Sequence, residues 1–241
     1  MSAHYYTQPD PAAAAEACAH HIISVLEEAI AGHEVASVAL SGGSTPRLLF
    51  EKLARAQFRW DAVHLFWVDE RCVPPTDPAS NFKLADDYLI RPAHISHRNI
   101  HRVCAELAPK TAAARYAGEI REFFGLDEGE LPHFDLVHRG MGPDAHSASL
   151  FPGSPLIDDR EGIAGAVFIE KFNQWRITLL PGVLLAAKHT VFLVAGADKA
   201  EAIRAVFKEE YDPKKYPAQI AAHHARGVTW FLDAAAAALL D

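Results

Sequence analysis

The sequence predicts an α/β protein, with a mostly parallel sheet covered by helices on both faces. Two observations carry that prediction. Short apolar runs, such as residues 63–68 (VHLFWV) and 189–195 (HTVFLVA), alternate with helix-forming stretches of about 10 to 16 residues, the pattern of strands buried on both sides. Several of these runs also empty into loops of Gly, Ser, Asp and Pro, and open α/β sheets bind ligands at the carboxyl ends of their strands.

Taken in order, residues 10–31 form an Ala-rich helix with Ile22, Leu26 and Ile30 on one face, and Gly32 stands where a left-handed glycine would close it. Residues 35–40 are a strand that runs into SGGSTP (41–46). A helix follows to about Arg55, with Pro46 in its first turn. Residues 63–68 are a second buried strand, ending in Asp69-Glu70-Arg71. A Pro-rich loop leads to a helix over 81–89, and another helix covers 109–124. The apolar run 134–137 is the next strand, with two more over 166–170 and 176–180 and another over 189–195. A helix then reaches about Phe207, and VTWFLDAAAAALL reads as a strand and a closing helix. No linker, repeat or low-complexity segment interrupts the series. Residues 1–241 therefore read as one domain, least regular over 72–80 and 208–227.

Half of the 241 residues are hydrophobic and 22% are charged, enough for a full core. A net charge of −8 gives no general attraction for phosphate backbones, which argues against nucleic acid as a partner. An anionic ligand must then be held by a local site. Cys18, Cys72 and Cys104 are far apart and odd in number, which speaks against a disulfide framework or a Cys-type zinc site. The start, MSAHYYTQPD, lacks the basic end and apolar run of a signal peptide, and no window approaches the ~18 apolar residues of a membrane span. The expectation is a soluble, cytoplasmic monomer.

The stretch from Phe134 to Gly153, FDLVHRGMGPDAHSASLFPG, carries the strongest chemical signal. A buried strand delivers His146 at its carboxyl end, followed at once by Ser147 and Ser149. Histidine ordinarily titrates near 6.5, so at neutral pH the imidazole can accept a proton. SGGSTP is a second signal. A strand-to-helix turn with Gly42, Gly43, Ser44 and Thr45 is either an anion site of backbone N–H groups and hydroxyls, or an ordinary tight turn with a Ser/Thr cap. Asp69-Glu70-Arg71 is either a surface ion pair or a place where Arg71 forks onto an anionic or carbonyl oxygen. Arg176 and Lys199 each read alone as solvated charges, and together beside a Gly/Ser loop they suit a phosphate dianion.

Other patterns carry less. Gly140-Met141-Gly142-Pro143-Asp144-Ala145 fits the dinucleotide fingerprint in form, but Pro143 lies inside the turn and Pro152 ends any helix soon after. His94, His97 and His101 fall at helical spacing without an HExxH or Cys partner, and read as solvated or capping groups rather than metal ligands. His223 and His224 read the same way. No GxxxxGK[ST] loop and no GxSxG elbow is present, which lowers nucleotide hydrolysis and serine-hydrolase chemistry.

Five blocks in order, ALSGGSTPRLLFEKLA, FWVDERCVPPTDPASNF, FDLVHRGMGPDAHSASLFPGS, RITLLPGVLLAAKHTVFLVAGADKAEAI and VTWFLD, resemble the 6-phosphogluconolactonase family from about residue 10 onward. That family shares a wider group, and a Rossmann-like sheet, with glucosamine-6-phosphate deaminase. Residues 147–152 (SASLFP) are similar to the lactonase rather than the deaminase. The resemblance implies hydrolysis of 6-phospho-D-glucono-1,5-lactone, a sugar-phosphate lactone of the oxidative pentose phosphate pathway, with no metal or organic cofactor. It implies His146 as general base, with Arg71 and N–H groups of the glycine loops as oxyanion donors. Gly42, Gly43, Ser44, Thr45, Gly142, Arg176 and Lys199 would hold phosphate and sugar. Asp69 and Glu70 would orient Arg71 or the sugar hydroxyls, and Asp144 would fix the His146 tautomer.

The chain departs from the family pattern at several positions. His138 and Arg139 stand where two apolar residues are usual, Ala145 where glycine precedes the histidine, Leu185 where Asn is usual and Ser147 where Thr is usual. A charge at a buried strand end is costly unless paired, and alanine at a positive-φ glycine site costs roughly 1 to 2 kcal/mol. Two other readings therefore stand beside the active lactonase. One is an amino-sugar-phosphate isomerase or deaminase, which would release ammonia from glucosamine-6-phosphate. The other is a non-catalytic sugar-phosphate binder, which would hold 6-phosphogluconate without turnover.

Overall fold

The structure is a computed structural model that describes residues 4–225 and 227–240, with His224 described in its backbone only. Strand β1 (His4–Gln8) precedes helix α1 (Pro11–His33), whose N-cap Asp10 accepts the Ala13 N–H at 2.8 Å. The helix runs past Gly32, and Glu34, at φ 72°, is the left-handed residue that closes it, its N–H bonded to the Ile30 carbonyl. Next come β2 (Ala36–Leu40), α2 (Ser44–Leu53), β3 (Val63–Trp67), β4 (Asp69–Arg71) and α3 (Asn81–Ala85). The predicted 81–89 helix is split, since α3 passes into a π-helical turn over Asp86–Ile90. The chain continues through β5 (Ile100–His101), α4 (Pro109–Phe124), β6 (Leu136–Arg139), β7 (Ala164–Ile169), β8 (Gln174–Leu179) and α5 (Pro181–Ala186). It ends with β9 (His189–Val194), α6 (Ala200–Lys208), α7 (Gln219–His224) and β10 (Val228–Asp233).

Seven strands form one sheet in the order β1-β10-β9-β6-β2-β3-β5, and every pair in it is parallel. From β2 the chain winds outward through β3 to β5, and from β6 it winds the other way through β9 to β10. The crevice at the carboxyl ends of β2 and β6 is thus the switch point where such folds bind ligands. One apolar cluster joins α1, α2 and α4 to β2, β3 and β6, and a second packs α6 and α7 on β9 and β10. Continuous apolar strands need cover on both sides, and the helices supply it.

The two strands predicted over 166–170 and 176–180 do not join this sheet. They form an antiparallel hairpin, β7–β8, extended by β4 into a separate three-stranded sheet. Val68 is the joint: its N–H bonds the Leu40 carbonyl in the large sheet, and its carbonyl accepts from Leu179 in the small one. Asp69-Glu70-Arg71, placed by the sequence at a strand end, is itself the strand that carries this second sheet over the crevice. The expected closing helix is a run of turns over 234–239, begun where the Asp233 carboxylate accepts the Ala236 N–H at 2.8 Å. Among the described residues no helix is long and apolar enough to cross a membrane.

Candidate active site

Loops from the carboxyl ends of β2, β6 and β9 meet β4 and β8 around a cavity of about 220 Å³. Gly42, Gly43, Ser44, Thr45, Asp69, Arg71, Gly142, His146, Arg176 and Lys199 all line it, with Ser41, Met141 and Ala195 among the others. Asp144 does not line the cavity but sits directly behind His146.

The first wall is the head of α2. Its N-cap is Gly43 at φ 126°, and no side chain caps the helix. The Ser/Thr-cap reading of SGGSTP is therefore set aside, and the first N–H groups of α2 meet the cavity with the positive end of the helix dipole. Gly42 is required on packing grounds, because a Cβ there would run into the Asn81 side chain. The buried Ser41 hydroxyl has no partner among the described residues.

The second wall is the loop after β6. Gly142 N–H bonds the His146 carbonyl at 3.0 Å, and Ala145 N–H bonds the Gly142 carbonyl at 3.0 Å. This tight turn forces Ala145 to φ 58°, so the residue in place of the family glycine does hold a left-handed conformation. No helix follows, and the dinucleotide fingerprint lacks the helix N-terminus it needs. His146 Nδ1 lies 2.5 Å from Asp144 Oδ1, and its ring stacks on Phe151 at 4.0 Å between centroids. Burial pushes the Asp144 pKa up, but the hydrogen bond and charge of His146, helped by Lys171 at 3.4 Å, outweigh it and hold the carboxyl well below the usual range. An ionised Asp144 selects the tautomer with the proton on Nδ1, leaving Nε2 as acceptor.

The third wall is β4 with β8. Glu70, buried at 2% exposure, accepts the backbone N–H groups of Arg71, Asn81 and Phe82 and the Ser80 hydroxyl, at 2.7 to 3.0 Å. It anchors the loop before α3 and does not pair with the Arg71 guanidinium, which donates to the Ala79 carbonyl at 2.6 Å. Burial pushes the Glu70 pKa up, opposed by these four donors. Asp69 accepts from Ser149 Oγ at 2.6 Å and lies 3.9 Å from Arg176 Nη1. Lys199 follows Gly196, whose N–H bonds the Asp233 carboxylate, and pairs with Asp198 at 2.5 Å.

Two residues to which the sequence assigns no site role, Asn81 and Lys171, belong to this framework, and only contacts across the fold single them out. Ser41 and Phe151 lie within the motifs SGGSTP and SASLFP without a role of their own there. Conversely, His94, His97 and His101 share no helix. His94 sits in a turn at φ 54°, and neighbouring Asn99 is tied to the carbonyls of Asp61 and Val63, drawing the segment into β5. His101 instead bonds His64 and Glu119, and no group of metal-ligating side chains is found among the described residues. His223 packs against Tyr211, and the His224 side chain lies outside the described residues. Leu185, on α5, packs against the core.

Comparison with known proteins gives a consistent picture. The model of the family "Glucosamine-6-phosphate isomerases/6-phosphogluconolactonase" matches residues 9–230. A 6-phosphogluconolactonase of Synechocystis is 38% identical over 211 residues, 86% of each chain. The structure of a 6-phosphogluconolactonase from Trypanosoma cruzi superposes with a TM-score of 0.88 at 25% identity, covering 100% of this chain and 98% of that one. A monomeric glucosamine-6-phosphate deaminase, 18% identical with a TM-score of 0.83 over 98% of this chain and 99% of its own, has the same fold.

Proposed function

The chain belongs to the family of glucosamine-6-phosphate isomerases and 6-phosphogluconolactonases, and we propose that it is a 6-phosphogluconolactonase, a hydrolase with His146 as general base. Its substrate is 6-phospho-D-glucono-1,5-lactone, its product 6-phospho-D-gluconate, and its place the oxidative pentose phosphate pathway. The observation that carries the reading is the 2.5 Å His146–Asp144 pair, set beside a cavity that also holds an uncapped helix N-terminus and three cations.

Water attacks the lactone carbonyl as His146 Nε2 takes its proton, and Asp144 stabilises the imidazolium that forms. Negative charge grows on the carbonyl oxygen, where Arg71 and the glycine-loop N–H groups other than that of Gly142, which the His146 carbonyl holds, are the donors in reach of the cavity. Collapse breaks the bond from the carbonyl carbon to the ring oxygen, which takes the proton back from His146. The acid so formed ionises, and one proton is released per turnover. The substrate phosphate lies at the head of α2 with Ser44 and Thr45, facing Lys199 and Arg176. Residues 147–152 and the lactonase relatives favour this reaction over amino-sugar deamination.

The test follows proton release from freshly prepared lactone, beside a no-enzyme blank and His146→Ala. A wild-type rate above the blank that vanishes in the variant supports both reaction and base. A wild-type rate equal to the blank, with 6-phosphogluconate still bound, identifies a non-catalytic binder, and ammonia from glucosamine-6-phosphate identifies a deaminase.

A further inference from the structure

Arg139 is among the largest fully buried side chains of the molecule, at 1% exposure on the last position of β6. Burial draws its pKa down to about 9, with Asp69 acting in the other direction. A cation so placed is expensive and is retained only where its contacts compensate. Its contacts are specific. The guanidinium lies over the Phe192 ring at 5.0 Å, and Phe192 stacks on Trp230. Its Nε donates to Ser147 Oγ at 2.9 Å, and that hydroxyl donates to the Gly140 carbonyl at 3.0 Å. Arg139 and Ser147 thus close the two ends of the loop 140–147, with His146 next to the closing residue.

The loop needs such a clasp. Ala145 and Ala148 both hold positive φ, at 58° and 56°, one on each side of the His146-Ser147 pair. Left-handed alanine is disfavoured by roughly 1 to 2 kcal/mol, so two of them persist only where surrounding contacts over-determine the path. Ser149 supplies the other anchor, its hydroxyl bonded to Asp69 on β4. The two buried serines flank Ala148 and tie the segment to both sheets.

We infer that Arg139 is a positioning residue: through Ser147 it clasps the strained loop that aims His146 into the cavity. This rests on the reading of His146 as the base. Arg139 is not itself among the residues that line the cavity, so it acts on turnover rather than on substrate affinity.

The test compares Arg139→Met, Arg139→Lys, Ser147→Ala, Ser147→Thr and the double variant Arg139→Met/Ser147→Ala with wild type and His146→Ala. Expected are a kcat lowered about 10- to 100-fold in Arg139→Met and Ser147→Ala, with KM and 6-phosphogluconate affinity within about threefold. Ser147→Thr, which keeps the hydroxyl, retains activity. The double variant is no worse than the poorer single, as for two residues in one clasp. The His146 ring signals in NMR spectra shift in the damaged variants, a change that a general loss of stability in a still-folded protein does not produce. If Arg139→Met does not fold, Ser147→Ala and Arg139→Lys decide the matter. Full kcat per folded molecule in Ser147→Ala, or strictly additive losses in the double variant, overturns the clasp. If His146→Ala retains full activity, it is the assignment of the base that has failed, whatever Arg139 does.

Discussion

Arg71 and Arg176 face each other as register partners across the antiparallel pair β4–β8, and both line the cavity. Like charges directly opposite on a strand pair are unfavourable. Each guanidinium also has a buried Nε without a hydrogen-bond partner among the described residues. Burial lowers the Arg176 pKa, Asp69 raises it, and Arg71 pushes it further down. Such a pair is poised for an anion. Arg176→Met is expected to weaken 6-phosphogluconate binding about 10- to 100-fold by calorimetry, the range of a lost charge-assisted hydrogen bond. Without ligand the variant should melt close to wild type, since the burial cost and the Arg71 repulsion are removed together with the Asp69 attraction. Unchanged affinity would refute the pairing of these two cations around the ligand.

The Asp144–His146 contact predicts a different signature. Asp144→Asn removes the acceptor that keeps the proton on Nδ1, and kcat should fall by about 100-fold or more while KM moves less than about threefold. Because the folded-state pKa of Asp144 is depressed, its stabilising contribution is complete above the ordinary carboxylate pKa and is lost only as pH falls through the lower folded value. Wild type should therefore keep its His146 orientation down to about pH 4, as read from NMR of the ring. Lys171, exposed on the β7–β8 turn, should matter little, and Lys171→Ala is expected to change kcat less than about threefold.

Gly142 tests the geometry of the turn. A Cβ there would strike the His146 ring and approach Asp144 Oδ1 at 2.8 Å. Gly142→Ala should leave a cooperative thermal transition and lower kcat about 100-fold, because the base must rotate away from the reacting water. A variant with normal kcat would show that the ring has room to move without loss.

His138 gives a pH-dependent stability. It is wholly buried, neither ring nitrogen has a partner among the described residues, and burial lowers its pKa to about 3. Between that value and about 6.5 the unfolded chain binds a proton that the folded chain does not, so stability rises with pH across this window. The penalty reaches about 2 kcal/mol at pH 5 relative to pH 7.5. His138→Leu should equal or exceed wild type in stability at pH 7.5 and gain on it steadily as the pH falls, in urea melts at several pH values. A constant difference across the series would count against this account.

The sequence by itself determined the order of elements and the cast of the site. Apolar runs at 63–68 and 189–195 had to be buried strands, and Gly-rich loops after them had to stand at one edge, because period and turn chemistry are local properties. That His146, Arg71, Lys199 and the SGGSTP turn line one cavity was legible from five blocks in order, which is information about ancestry more than about physics. The tertiary structure alone decided the rest. The strands over 164–169 and 174–179 leave the parallel sheet because they pair with each other and the second of them pairs with Asp69–Arg71, a partner some hundred residues away. β1 escaped notice because residues 4–8 are largely exposed and gain their strand form only by pairing with β10. The apolar run 134–137 stops short of His138 and Arg139, which the sequence places at a buried strand end, and β6 extends through both. Whether a buried charge is a defect or a clasp depends on what lies opposite it, and in this chain Ser147, Phe192 and Asp69 are brought to Arg139 only by folding.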